Sequence, residues 1–326
     1  MRHTILAAGI LACASMAQAD TQTLTIYTYE SFVADWGPGP VIEANFEATC
    51  DCDVEWIAAG DGAALLSRLR LEGASSEADI VLGLDTNLTA TAAETGLFAP
   101  HGTAADGLVL PIAWADPIFV PYDWGYFAFV HRADLADAPT SFTELADSDL
   151  RIVIQDPRSS TPGLGLLMWV EAAYGNGAEA LWQALADNVA TVTPGWSEAY
   201  SLFLEGEADM VLSYTTSPAY HLIAEADAGF DSAAFDEGHY MQVEVAGIVA
   251  STDVPDLARD FMAFMLTPGF QDVIPTTNWM YPAAGTDLPD GFETLIAPAE
   301  ALLLPADDAA AIRDAAIARW AGALSR

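Results

Sequence analysis

Ala78-Asp79-Ile80-Val81-Leu82-Gly83-Leu84 is the stretch that decides the fold. Its apolar run is too short for a globular helix and lacks the alternation of a half-exposed strand. It reads as a strand covered on both faces. Upstream, Asp61 opens a helix with Leu65, Leu66 and Leu69 on one face. Before that come a strand at Val54 to Ala58, a helix at Pro40 to Ala48, and the period-two segment Leu24-Thr25-Ile26-Tyr27-Thr28-Tyr29. Downstream the same pattern returns. Tyr126 to Val130 and Arg151 to Asp156 read as strands, followed by helices around Gly163–Tyr174, Ala178–Asn188 and Ser197–Leu204. Asp209-Met210-Val211-Leu212-Ser213-Tyr214 then repeats the buried-strand pattern, and Gln242 to Ile248 adds another strand. Helices dominate the remainder, Ala309 to Ala323 most clearly. Such alternation predicts an α/β protein with mostly parallel sheets flanked by helices. The 326 residues are about two domains' worth. With no linker and no internal repeat, two lobes are expected to share crossings of the chain. A ligand belongs in the cleft between them, beyond the carboxyl ends of strands.

Acidic residues number 47 against 10 basic ones, all arginine, for a net charge of −37. That balance excludes a binder of nucleic-acid phosphates and argues against docking on anionic lipid. At the start, Arg2 and His3 precede an apolar Ile5 to Met16, and Ala17-Gln18-Ala19 forms a small-x-small cleavage site before Asp20. Residues 1–19 therefore read as a secretory signal peptide. Ile10-Leu11-Ala12-Cys13 is a weaker lipoprotein alternative. No later stretch reaches roughly 18 uninterrupted apolar residues. In an exported chain, Cys50 and Cys52 are candidates for a local disulfide at the end of a helix.

Catalytic signatures are absent. There is no Gly-x-Ser-x-Gly elbow, no His-Glu-x-x-His, and no lysine for a phosphate loop. Gly163-Leu164-Gly165 begins like a dinucleotide fingerprint, but Met168 stands where the third glycine belongs. These glycines read as close-packing positions in a helix. The informative positions lie where aromatic and polar residues meet at strand ends and helix starts. Tyr27 and Tyr29 end the first strand. Asp61-Gly62 opens a helix, with Asp61 as its N-cap. In Ser159-Ser160-Thr161-Pro162-Gly163, Thr161 reads as a cap with Pro162 at the first helical position, and the start doubles as an anion site. Trp196, the run Tyr214-Thr215-Thr216-Ser217-Pro218-Ala219-Tyr220, and Trp279 complete the set. Singly, each aromatic suits a core. Together they suit a flat heteroaromatic ring or a cation.

At these segments the chain resembles the thiamine-binding proteins of bacterial ABC importers. The matching stretches are TIYTYESFVADWGPGPVIEANFEATCDC, SRLRLEGASSEADIVLGLD, VPYDWGYFAFV, QDPRSSTPGLGLLMWV, TVTPGWSEAY, ADMVLSYTTSPAYH, EGHYMQVEVAG and IPTTNWMYP. The resemblance implies a two-lobed periplasmic binding protein fold of type II, divided as 20–115, 116–235 and a return at 236–326. It implies a monomer that binds thiamine and its phosphates and passes them to a membrane permease driven by an ATPase. Neither a cofactor, a metal nor nucleic acid is expected. The implied ligand positions are Asp61, Gly62, Ser160, Thr161, Trp196, Tyr214, Thr215, Thr216 and Ser217, with Tyr29, Tyr220 and Trp279 as further cleft walls. Alanine enrichment, the missing lysine and the acidity depart from the family and bear on the permease-docking surface. The competing readings are a binder of ferric ion or a polyamine, and a thiamine-cleaving enzyme on the same fold. That enzyme would need a free cysteine nucleophile in the cleft.

Overall fold

The computed structural model describes residues 21–105 and 107–325. The signal segment expected over 1–19 lies outside the described residues. Twelve strands are present among them: β1 (Gln22–Thr28), β2 (Cys52–Ala58), β3 (Ile80–Asp85), β4 (Phe98–Ala99), β5 (Phe119–Arg132) and β6 (Ile152–Gln155), then β7 (Val189–Thr193), β8 (Met210–Tyr214), β9 (Phe230–Ser232), β10 (His239–Val249), β11 (Tyr281–Pro282) and β12 (Ala301–Leu302). They form one sheet, whose main path runs β2-β1-β3-β10-β5-β8-β6-β7.

Two parallel sets, β2-β1-β3 and β8-β6-β7, make the halves of this sheet. The antiparallel pair β10–β5 joins them. The first part of β5 pairs with β10 and its last part, Phe127 to His131, pairs with β8. One strand therefore belongs to both lobes. The boundary expected after residue 115 falls just ahead of it.

Local sequence explains the sheet's layers. Every residue of β3 is buried, as its unbroken apolar run requires. In β1, Leu24 and Ile26 pack on one side and Tyr27 on the other, so both faces are covered. The helix Gly62–Glu72 buries Leu65, Leu66 and Leu69 together. Full burial of each such side chain is worth about 1.5–3 kcal/mol. A Cβ on Gly163 would meet the Gln155 carbonyl oxygen at 2.5 Å, and one on Gly165 would meet the Phe127 ring at 2.0 Å. The glycine pair is thus a packing device, as read.

The crossing strands are longer than the sequence suggested. The sequence reading begins this strand at Tyr126, and the structure extends it back to Phe119 through Pro121, which has no N–H to give a ladder. The structure accommodates it at a bulge. Val245 pairs with Pro121 while Glu244 pairs with Asp123, leaving Tyr122 as the extra residue. On the other side of β10, Val245 faces Leu84 and Ala246 faces Leu82, leaving Gly83 extra, with φ +109°. Two bulges therefore flank Glu244, where they bend the sheet and re-aim side chains.

Cys50 and Cys52 are joined in a disulfide that ties the end of the helix Gly39–Glu47 to the start of β2. Among the described residues, no helix is long and apolar enough to cross a membrane.

Candidate functional site

A cavity of about 260 Å³ lies at the carboxyl ends of the parallel strands, over the middle of β10. Tyr29, Asp61, Thr161, Trp196, Tyr214, Ser217, Tyr220 and Trp279, all expected from sequence, line it. Gly62, Ser160, Thr215 and Thr216 stand behind the wall. Thr215 and Thr216 are wholly buried, and Thr216 Oγ1 donates to Sδ of the lining Met280 at 3.6 Å.

Neighbours hold the walls in place. The Trp196 indole N–H donates to Ser213 Oγ at 2.8 Å, and its ring stacks on Tyr200 with centroids 5.0 Å apart. Ser213 Oγ in turn lies 2.7 Å from Ser217 Oγ. Tyr214 stacks on Phe127 at 5.2 Å. Tyr220 meets Trp279 edge-on at 5.5 Å and donates its hydroxyl to Glu225 at 3.0 Å. Trp279 has a left-handed backbone, φ +57°, held by the Asn278 and Trp279 N–H groups, which both bond the Ile274 carbonyl at 3.0 Å. Such a conformation costs about 1–2 kcal/mol and persists where packing over-determines it.

Two cap assignments are corrected. Asp61 sits at the N-cap position of Gly62–Glu72, yet its carboxylate makes no bond to that helix. It reaches across the cleft to accept from Ser160 Oγ at 2.8 Å and from the Trp196 N–H at 3.2 Å. Thr161 is the first helical residue and Ser160 the cap position, and neither side chain caps. Thr161 Oγ1 instead accepts from the Gly62 N–H at 3.1 Å, and the Ala64 N–H bonds the Ser159 carbonyl at 3.1 Å. The helix starts of the two lobes therefore satisfy each other. A local pattern cannot register this, because the partners are about a hundred residues away. Gly62 permits the approach: a Cβ there would lie 2.8 Å from Thr161 Oγ1. Burial pushes the Asp61 carboxyl up to about 6, against the pull of Ser160 and the Trp196 N–H.

Sequence reasoning missed Trp36, Tyr200, Gln242, Glu244 and Asn278, all in the lining. Gln242 and Glu244 did leave a signal. They alternate with Val243 and Val245 inside a strand buried on both faces, where a polar side chain needs a reason. Glu244 accepts the hydroxyls of Tyr29 at 3.0 Å and Tyr122 at 2.8 Å. Asn278 bridges Tyr29 and Asp123, at 3.1 and 2.6 Å. Among the described residues, no arginine or histidine lines the cavity.

Such a cleft, walled by strand ends and helix starts of both lobes, is that of a receptor for a small solute. The chain belongs to the bacterial extracellular solute-binding protein family, whose model matches residues 27–272. Within it, the chain is 54% identical to the thiamine-binding periplasmic protein of Escherichia coli, over 93% of this chain and 94% of that one. It is 40% identical to that of Haemophilus influenzae, over 90% of each. A solved periplasmic thiamin binding protein superposes with a TM-score of 0.92 at 51% identity, covering 98% of this chain and all of that one. The ferric binding protein of Campylobacter jejuni shares the fold, with a TM-score of 0.76 at 19% identity, over 92% of this chain and 99% of that one.

Proposed function

We propose that this chain is the substrate-binding component of a thiamine ABC importer, working in the periplasm after removal of residues 1–19. It captures thiamine and thiamine phosphates and delivers them, as a monomer, to a permease coupled to an ATPase. Residues 20–115 and 236–326 form one lobe and 116–235 the other, with β5 and β10 as the crossings about which they close.

One observation carries the reading: aromatic walls stand over an acidic floor in a cavity that, among the described residues, no cationic side chain lines. Thiamine joins a flat aminopyrimidine to a permanently cationic thiazolium, and both rings match such a surface. Tyr214 and Tyr220, which would tempt a ferric reading, turn their hydroxyls to Gln242 and Glu225. The ligand leaves intact, since neither Cys50 nor Cys52 lines the cavity and the two are bonded together.

Calorimetric titration of refolded, ligand-free mature protein with thiamine and thiamine monophosphate tests this. Sub-micromolar one-to-one binding is expected. Trp196→Ala should weaken it about 2- to 30-fold, the worth of one desolvated cation–π contact. Absence of binding at high ligand concentration would remove the thiamine assignment, and degraded thiamine after incubation would remove the claim that it is only carried.

A further inference from the structure

Glu244 has a carboxylate on the strand to either side. Its register partners are Asp85 on β3 and Asp123 on β5. Residues directly opposite in a sheet point to one face with Cβ atoms about 5 Å apart, so three acids on three strands share a row. Asp85 and Asp123 are wholly buried and Glu244 is 5% exposed.

The row is not evenly compensated. Asp85 accepts from the side-chain amide and backbone N–H of Asn87 and feels the positive charge of Arg313. Asp123 and Glu244 face each other across β5 and β10, Asp123 Oδ1 has no hydrogen-bond partner, and no ion pair among the described residues reaches either. The groups turned toward them are the hydroxyls of Tyr29, Tyr122 and Tyr214, the Asn278 amide, and the carboxylates of Asp61 and Asp85. None is a cation. Two neighbouring carboxylates out of water resist ionising together without one. Burial first, and the charge of Glu244 next, raise Asp123 well above the usual carboxylate range, and burial raises Glu244.

A second observation comes from Gln242, two residues along β10 and wholly buried. Its amide donates to the Tyr214 hydroxyl at 3.3 Å, while its Oε1 has no donor, and the residue lines the cavity. A buried acceptor left unpaired costs about 1–3 kcal/mol, which a ligand N–H would recover. Next to it, Glu244 is the acid of the pair that reaches the cavity.

We propose that Asp123 and Glu244 read the ligand's charge: the pair holds one proton while the cavity is empty and releases it to solvent when a cationic ring settles on Glu244, with Gln242 Oε1 accepting a ligand N–H. This rests on the thiamine reading and deepens it. The thiazolium is the charge that replaces the proton, and the exocyclic amine is the donor for Gln242. Because thiamine is a permanent cation, it brings no proton of its own. Affinity therefore rises with pH, by up to about tenfold per unit where a full proton leaves.

The experiment is titration calorimetry of the ligand-free mature protein at about pH 7.5, in phosphate and in Tris. The difference in buffer ionisation heats counts the protons released. This pH lies above the value of about 6 for Asp61, which is then already ionised. Release close to one proton per thiamine is expected for the wild type, and none for Asp123→Asn or Glu244→Gln. The neutral isostere 3-deazathiamine should bind the wild type about 100-fold more weakly than thiamine, and the ratio should collapse in Glu244→Gln. Thiamine bound by the wild type without proton release, or no more tightly than the deaza analogue, overturns the inference and leaves the thiamine reading standing. Release undiminished in a folded Asp123→Asn places the proton elsewhere and also overturns it. A wild type that binds no thiamine overturns both. The wild-type measurements decide the matter even where a variant does not fold.

Discussion

Gly83 shows how one residue serves the site. It is the extra residue of a bulge, its φ is +109°, and a Cβ there would lie 2.4 Å from Cδ1 of Tyr29. Tyr29 in turn donates to Glu244 on the cavity floor. Gly83→Ala should therefore destabilise the protein by about 1–3 kcal/mol in urea unfolding and weaken thiamine binding, since the Tyr29 ring must move. Unchanged stability and affinity would show that the ring has room. At this scale the sequence was legible where aromatics broke the pattern at strand ends, as at Tyr29, Tyr214 and Trp279. At Gln242 and Glu244 it left only the signal of polar residues inside an apolar strand, and what they face is decided by β3 and β5 on either side.

Among elements, the helix starts at Asp61 and Ser160 carry the most weight. Both stretches read correctly as helix starts, and the caps assigned to them, Asp61 and Thr161, bond elsewhere. Their side chains bond across the cleft, Ser160 to Asp61 and the Gly62 N–H to Thr161. On the proposed division into lobes, these bonds form on closure and stabilise the closed protein. Ser160→Ala and Thr161→Val should each raise the dissociation constant for thiamine about two- to tenfold, the worth of one net hydrogen bond. They should leave the melting temperature of an open, ligand-free protein nearly unchanged. An unaltered affinity in both variants would mean that the contacts do not contribute to closure. The crossing strands teach a similar lesson. The first part of β5 runs through Pro121, which is tolerated there beside a bulge, and the partner strand decides where that bulge falls.

Across the whole molecule, the −37 charge and the buried acids act together on stability. Burial, the largest cause, lifts Asp61 to about 6 and Asp85 to about 7, and raises Asp123 and Glu244 as well. Each binds its proton more tightly folded than unfolded. The stability this contributes is complete below the ordinary carboxylate value of about 4 and is lost as pH rises through the folded values. His221 and His239 oppose the trend in acid. Burial lowers both, so their contribution is lost below about pH 6.5. The carboxylates held down by partners, such as Glu72 and Glu225, are screened by water and weigh less. The melting temperature of the ligand-free protein should therefore be higher at about pH 6 than at about pH 8, and added salt should raise it by screening self-repulsion. A melting temperature that falls steadily from pH 8 to pH 6 in calorimetry would contradict this balance.

The sequence by itself determined the alternation of strands and helices, the two buried runs that became β3 and β8, and the aromatic residues that wall the cleft. All of these follow from burial and periodicity, which act within a few residues. Only the tertiary structure decided that Asp61 spans the cleft, that bulges at Gly83 and Tyr122 flank Glu244, and that three carboxylates line up across β3, β10 and β5. The physical reason is that register and lobe contact are set by partners distant in the chain. A side chain's charge and hydrogen bonds depend on which partner arrives, and local sequence does not record that.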